Sequence, residues 1–441
     1  MASSQVAHYN QTMDTHSKNA SSNTHADCDV LIVGAGLVGA SLALRLADSG
    51  LRIGLLDRGD LAAVSATPQP TEGSGFDPRV VALTARSQQL LEQLGAWQLL
   101  KQQRLCPYEQ MRVWEEDGTG QVEFSAGEIH APALGTIVEN SLVLNALLSC
   151  LDASCSQAAA QRREAIRLFP QRSVTALERS TSGRRVLTTL RCDDGSEVSA
   201  HLVVAADGGN SRLRELAGFE TREWDYGQKA IVTTIRTREP HALTALQRFL
   251  NTGPLAYLPL ADGAEAPLGK HCSIVWSADS SRADELMALG DEGFAGELNR
   301  AMEGAFGGVE AVDSRFVFPL RQRHAKRYVQ DNIILAGDAA HTIHPLAGQG
   351  VNLGFLDVQA LAEALEAGLA GGRHPEDSLM LQRYQRQRMG PNLAMMALME
   401  GFKRGFADQP LALRWLRNVG LKGVNRFAAL RKALASEALG A

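Results

Sequence analysis

Asp29 to Asp60 reads DVLIVGAGLVGASLALRLADSGLRIGLLDRGD. The apolar run Val30 to Val33 stops at Gly34-Ala35-Gly36-Leu37-Val38-Gly39, a helical stretch follows, and a second apolar run ends on Asp57. Strand, glycine turn, helix and strand in this order make a βαβ unit. The glycines permit a tight turn and close backbone approach, so the helix N-terminus faces a pyrophosphate. Asp57 is spaced to accept hydrogen bonds from a ribose hydroxyl. The motif alone does not separate FAD from NAD, and a glycine turn that serves only helix packing is the competing reading.

A second stretch separates the two cofactors. Residues 331–357 read DNIILAGDAAHTIHPLAGQGVNLGFLD. An apolar strand runs into Gly337-Asp338, and a loop broken by proline and glycine leads to a helix. An acid leaving a strand can hold a ribityl hydroxyl. The amides of Gly350, Val351 and Asn352 at the helix start can face the flavin edge that gathers negative charge on reduction. The third signal is LVVAADGGNSRLR, a strand ending in Asp207-Gly208 with Ser211 and Arg214 behind it; a βα turn with an N-cap serine is the plain alternative.

In that order, Gly34/Gly36/Gly39, Asp207/Gly208/Arg214 and Gly337/Asp338 resemble the GxGxxG, DG and GD motifs of the class A flavoprotein aromatic hydroxylases, the p-hydroxybenzoate hydroxylase-like family. The likeness covers residues 28–441. Within that family FDPRVVALTARSQQLLEQLGAW, IVENSLVLNALL, GPLAYLPL, CSIVWS and GDAAHTIHPLAGQGVNLGFLD are similar to segments of the ubiquinone-biosynthesis hydroxylases, with the group acting on 2-polyprenylphenol nearest. The polar N-terminal tail and the insert ADGAEAPLGKH are departures that touch no motif.

The resemblance implies an α/β fold: a Rossmann-like FAD-binding domain of glutathione-reductase/p-hydroxybenzoate-hydroxylase type, a mostly antiparallel β-sheet substrate domain and C-terminal helices. The expected pieces are a disordered tail (1–27), a discontinuous FAD domain (28–105, 130–221 and 322–377), the sheet domain (106–129 and 222–321) and a basic helical segment (378–441). It implies non-covalent FAD, NADH or NADPH as reductant, O2, and a polyprenylated phenol hydroxylated through a C4a-hydroperoxyflavin. The DG motif is expected to serve both FAD and the nicotinamide, and Arg79 of FDPR to lie over or beside the flavin, a surface arginine being the alternative. Pro345, Leu346, Ala347 and Gly348 are expected to form one wall of the ring site, and GPLAYLPL the other. Tyr257 and His344 are the candidates for ring contact and catalysis, while His341 is expected to order the loop from behind. A phenol reacts best as phenolate, so a base is required, but no residue is singled out for it.

Composition agrees with a cofactor-holding protein. The 441 residues exceed one ordinary hydrophobic core, which favours two lobes. A net charge of −5, with 45% hydrophobic and 21% charged residues, argues against nucleic acid as a partner. Six scattered cysteines without a C-x-x-C pair indicate neither a metal site nor a redox dithiol, so reduced thiols in the cytoplasm are expected. The first residues lack the apolar core of a secretion signal, and no run is long enough to span a membrane. A peripheral contact at the inner face of the cytoplasmic membrane, a complex of biosynthetic proteins and a homo-oligomer stay open. So do three rivals: a halogenase, disfavoured because no Trp-x-Trp pair occurs, a hydroxylase of small soluble aromatics, and a flavin-holding subunit without turnover.

Overall fold

The computed structural model describes residues 26–61, 75–116, 121–160, 166–182, 185–342 and 350–406. The βαβ reading holds: strand Cys28–Val33, helix Leu37–Leu46 and strand Ile53–Leu56, with the two strands parallel. They lie in an eight-stranded sheet whose main path runs Val329–Gln330, Ile333–Leu335, Glu197–Ala205, Cys28–Val33, Ile53–Leu56, Ile166–Phe169. Helices cover the central strands, which explains why the runs Val30 to Val33 and Leu202 to Ala205 are apolar without alternation. A small meander, Val174–Ser182 and Arg185–Cys192, feeds antiparallel into Glu197–Ala205. That strand inserts beside the first, so the DG and GxGxxG turns leave neighbouring strand ends.

The second lobe is a nine-stranded sheet in which Phe316–Ala325, Thr221–Thr237, His271–Asp279, Gly253–Pro259 and Thr244–Leu250 lie side by side, antiparallel at each step. Gln110–Glu115 and Gln121–Ser125 complete it, as expected for residues 106–129, but Cys106–Tyr108 instead pairs with Gly135–Glu139 in a small three-stranded sheet. Helices Ser280–Ala288 and Asp291–Ala301, which the strand-dominated reading of 222–321 had not named, back the large sheet and bury Leu286, Phe294 and Leu298 against it.

Helix Gly350–Ala370 ends at Gly371-Gly372: Gly372 is left-handed, and the Arg373 N–H donates to the Gly368 carbonyl. The last helix, Ser378–Phe406, packs back on the protein itself, burying Met380, Leu381 and Tyr384 in the main core. The described residues begin at Ala26, inside the expected tail, and the Asp27 carboxylate accepts hydrogen bonds from the Ser199 N–H and Oγ. Residues 1–25 and 407–441, including Leu411, Leu413, Trp415 and Leu416, lie outside the described residues. All six cysteines are free thiols.

Candidate active site

The three glycines of the first motif do different work. Gly34 has φ +104°, and a Cβ there would fall 2.4 Å from the Ala206 carbonyl oxygen; one on Gly39 would fall 1.8 Å from the Gly34 carbonyl oxygen. Gly34 is glycine because the turn packs against the strand end that carries Asp207, and Gly39 because the helix packs directly on the turn. Gly36 meets nothing within 4 Å. The protein leaves that space open at the start of helix Leu37–Leu46, which fits a pyrophosphate there. Asp57 steadies the turn: Oδ2 accepts the Ala35 N–H at 2.7 Å and Oδ1 the Gly59 N–H at 2.6 Å.

The GD turn meets the same helix. Strand Ile333–Leu335 leads into the single turn Gly337–Ala339, and a Cβ on Gly337 or Gly354 would press to 2.8 or 2.6 Å from Val38 Cγ2. Asp338 is open to solvent although protein surrounds it, as befits a group lining a deep cleft. That enclosure raises its pKa, opposed by His341 and Arg79, so Arg79 stands within electrostatic reach of the cleft. Among the described residues Gly350 has nothing within 4 Å of its missing Cβ. Asn352 contributes more than the expected amide. Its Oδ1 accepts from the Ser87 Oγ at 2.6 Å and the Thr84 N–H at 3.2 Å, and its Nδ2 donates to the Ala82 carbonyl at 2.8 Å. The helix start is thereby locked to the strand Val80–Leu83 that follows FDPR.

That FDPR loop is clamped as well. The Asp77 Oδ1 accepts the Arg79 N–H at 2.9 Å, and Asp77 Oδ2 the Ser141 N–H at 3.1 Å. Glu139 Oε1 accepts from the Asp77 N–H and from Arg104, whose guanidinium lies over the Phe76 ring. The exposed Arg79 side chain is carried on a rigid base.

The DG motif is built as a strut. Asp207 Oδ2 accepts the Leu213 N–H at 3.2 Å, while Oδ1 is buried with no protein partner among the described residues. Arg214 is buried and donates to the Ala339 carbonyl at 3.0 Å and the Gly209 carbonyl at 2.9 Å, tying the DG loop to the GD turn. Burial, then the nearby Arg323, lowers its pKa. With each terminal nitrogen of its guanidinium donating to a backbone carbonyl, Arg214 ties the two motifs together.

Sequence reasoning missed a buried polar chain behind the GD turn. Asp357 Oδ2 accepts the Gly337 N–H at 2.9 Å and bonds His341 Nε2 at 2.6 Å, and its Oδ1 accepts Arg388 Nε at 2.6 Å. Arg388 continues to Asn392, Asn392 to the Tyr328 hydroxyl, and Tyr328 to His324. Burial would raise the Asp357 carboxyl, yet His341 and Arg388 hold it below the usual range. His341 thus supports the GD turn from behind through Asp357, while the loop that follows it lies outside the described residues. Arg388, counted in the basic C-terminal set, is a core residue. An arginine among many in a helix carries no signal of burial.

Register decides which side of the large sheet faces the flavin motifs. Ile231, Leu255, Tyr257, Ile274 and Trp276 pack under the helices at the back. The other side carries Leu258 and Ala245, which pack with Phe76, and His271, whose ring lies 5.4 Å from that of Phe76. Tyr257 is therefore turned away from the cleft, with its pKa raised by burial; it is not a wall of a ring site there. The cleft-facing side does hold Ser273, whose hydroxyl is buried without a partner among the described residues. His344, Pro345, Leu346, Ala347 and Gly348 lie outside the described residues. No group of three or more candidate metal ligands occurs among the described residues.

Comparison with known proteins now bears on this cleft. A family model described as an FAD binding domain matches residues 27–397. The chain is 34% identical over 417 residues to 3-demethoxyubiquinol 3-hydroxylase of Escherichia coli, covering 95% of this chain and 100% of that protein. It belongs to the FAD-dependent aromatic hydroxylases, in the ubiquinone-biosynthesis group. Ubiquinone hydroxylase UbiL of Rhodospirillum rubrum is 36% identical, over 93% of this chain and 89% of its own. A probable FAD-dependent monooxygenase of Pseudomonas aeruginosa, PqsL, shares the fold, with a TM-score of 0.68 at 23% identity over 90% of this chain and 99% of that one.

Proposed function

We propose that this protein hydroxylates the aromatic ring of a polyprenylated phenol in ubiquinone biosynthesis, with NADH or NADPH as reductant and O2 as the oxygen source. The observation that carries the reading is the cleft between two glycine-held helix starts, set against a sheet lobe. FAD, when bound, supplies hydride acceptance and dioxygen activation. In this reading Gly34, Gly36, Gly39 and the helix start behind them hold the pyrophosphate, and Asp57 holds the ribose. Asp338 bonds the ribityl chain, and the amides of Gly350, Val351 and Asn352 meet the ring edge where charge gathers. Arg79 lies beside the ring, while Asp207, Gly208 and Arg214 hold the DG and GD turns at fixed separation. The loop Pro345–Gly348 and the cleft-facing side of the large sheet enclose the phenol and exclude water.

A prenylated phenol resides in lipid, and no helix among the described residues is long and apolar enough to cross a membrane. We therefore place the protein at the inner face of the cytoplasmic membrane as a peripheral visitor, with the basic segment 407–441 as the contact. The test is NAD(P)H oxidation by purified protein, coupled to product analysis, with prenylated and unprenylated phenols. Hydroxylated product from prenylated phenol is expected. Flavin-containing protein that oxidises NAD(P)H without hydroxylating any phenol would sink the proposal, and a preference for unprenylated phenols would replace it with a soluble-aromatic hydroxylase.

A further inference from the structure

The cleft-facing side of the large sheet changes character along one strand. On Phe316–Ala325 the alternate residues Leu320, Gln322 and His324 are buried, and His324 pairs across from His341 just beyond the GD turn. Two rungs further out on that strand, Phe318 and Phe316 are 40% and 41% exposed. They stand opposite Ala230 and Val232, which in turn oppose Ser277 and Val275. Directly paired residues share a face, so Phe316, Val232, Val275 and Ala256 make an apolar row across four strands. At its other end, around Leu258 and Ala245, this face is closed by Phe76 and the small sheet. The face is thus shut beside the FDPR loop and open, with two aromatic rungs about 7 Å apart, where it leaves the GD motif.

We propose that Phe316 and Phe318 line the exit of the active-site cleft and bind the first isoprene units of the substrate's hydrocarbon tail. This rests on the prenylated-phenol reading above and assigns its specificity to named residues. Continuity argues for a tail as the occupant: the side that carries these rings is the one that runs to the GD motif, whereas the opposite side packs under helices over its centre and ends at this edge on exposed Val317 and Pro319. Area argues against a protein partner. Two phenylalanines at 40% and 41% exposure leave on the order of 200 Å², far below the roughly 800 Å² a partner contributes to a stable interface.

The experiment measures dissociation constants of the FAD-loaded protein for phenols bearing no, one, two or three isoprene units, read by quenching of tryptophan fluorescence without turnover. Wild-type affinity should rise with each early unit. Phe318→Ala and Phe316→Ala should each weaken binding of tailed phenols by about tenfold and leave the tailless phenol nearly unchanged. Leucine at either position should restore most of the loss. Val317→Ala is the control, a residue of equal exposure on the opposite side of the same strand. Equal loss for the tailless phenol, an equal effect of Val317→Ala, or an unaltered dependence on tail length would each overturn the assignment. So would dissociation of an oligomer by the phenylalanine variants with tail binding intact, which would give the patch to a second copy. Tail-dependent binding without any hydroxylated product would fail the proposed function and leave the tail site standing; product formed with tail binding indifferent to Phe316 and Phe318 would fail the tail site alone.

Discussion

Replacing Asp357 with asparagine keeps the shape of the side chain and removes the charge on which the GD turn is built. The carboxylate is fully buried and serves His341, the Gly337 N–H and Arg388 at once. Without it the guanidinium of Arg388 is left buried beside a neutral amide, a change that costs about 3–5 kcal/mol. Unfolding entropy of about 2 cal/mol/K per residue over 441 residues gives roughly 0.9 kcal/mol/K, so the melting temperature should fall by about 3–5 °C. Because the Gly337 N–H loses an anionic acceptor, FAD should also bind more weakly. The control is Asp284→Asn, which breaks the Lys229–Asp284 pair at 2.6 Å, where the side chains are 30% and 63% exposed; such a pair contributes about 1 kcal/mol or less. Calorimetry of both variants, with and without excess FAD, decides the matter. If Asp357→Asn melts within a degree of wild type, or Asp284→Asn falls as far, the buried chain is not what holds the turn.

The glycines give a paired test: Gly34→Ala should destabilise the flavin-free protein by about 1–3 kcal/mol through its left-handed backbone, whereas Gly36→Ala should leave flavin-free melting unchanged and weaken FAD binding, read by titration. Asp338→Ala should likewise lose flavin on gel filtration while the circular dichroism spectrum stays that of wild type, because its carboxylate faces the cleft. His324 is held neutral by burial, with its pKa lowered from 6.5 to about 4. The unfolded chain binds the extra proton first, so stability present above pH 6.5 is lost as pH falls toward 4, by up to about 3 kcal/mol; His324→Asn should flatten melting temperature against pH in that window. For the membrane contact, a variant ending at Phe406 should sediment less with anionic liposomes at low salt, and equal sedimentation would clear residues 407–441 of the role. A cut after Asp377 would be uninformative, since it removes Met380, Leu381 and Tyr384 from the core.

Local chemistry made the cofactor half of this protein readable from its residues. A βαβ unit, a glycine that needs positive φ, an acid at a strand end and a Gly-Gly helix stop each lie within a few turns of chain. Short-range sterics and hydrogen bonding specify them wherever they occur, and Gly34, Asp57, Gly337, Asp338 and Gly371 stand where those rules put them. Relations between distant segments were another matter. In GPLAYLP nearly every residue is buried, so the strand period could not tell the side of Tyr257 from the side of Leu258, and only the pairing with His271–Asp279 and the helices behind it resolved the choice. Arg388 carries the same charge as the arginines around it, and its place beside Asp357 follows from how helix Ser378–Phe406 docks on Gly350–Ala370. The exposure of Phe316 and Phe318, in the apolar run FVFPL that composition alone would bury, is likewise a product of where the sheet ends. Sequence determined the elements and the motifs at their ends; tertiary packing decided which side of each element those motifs and their supports would share, because register and docking depend on contacts between residues far apart in the chain.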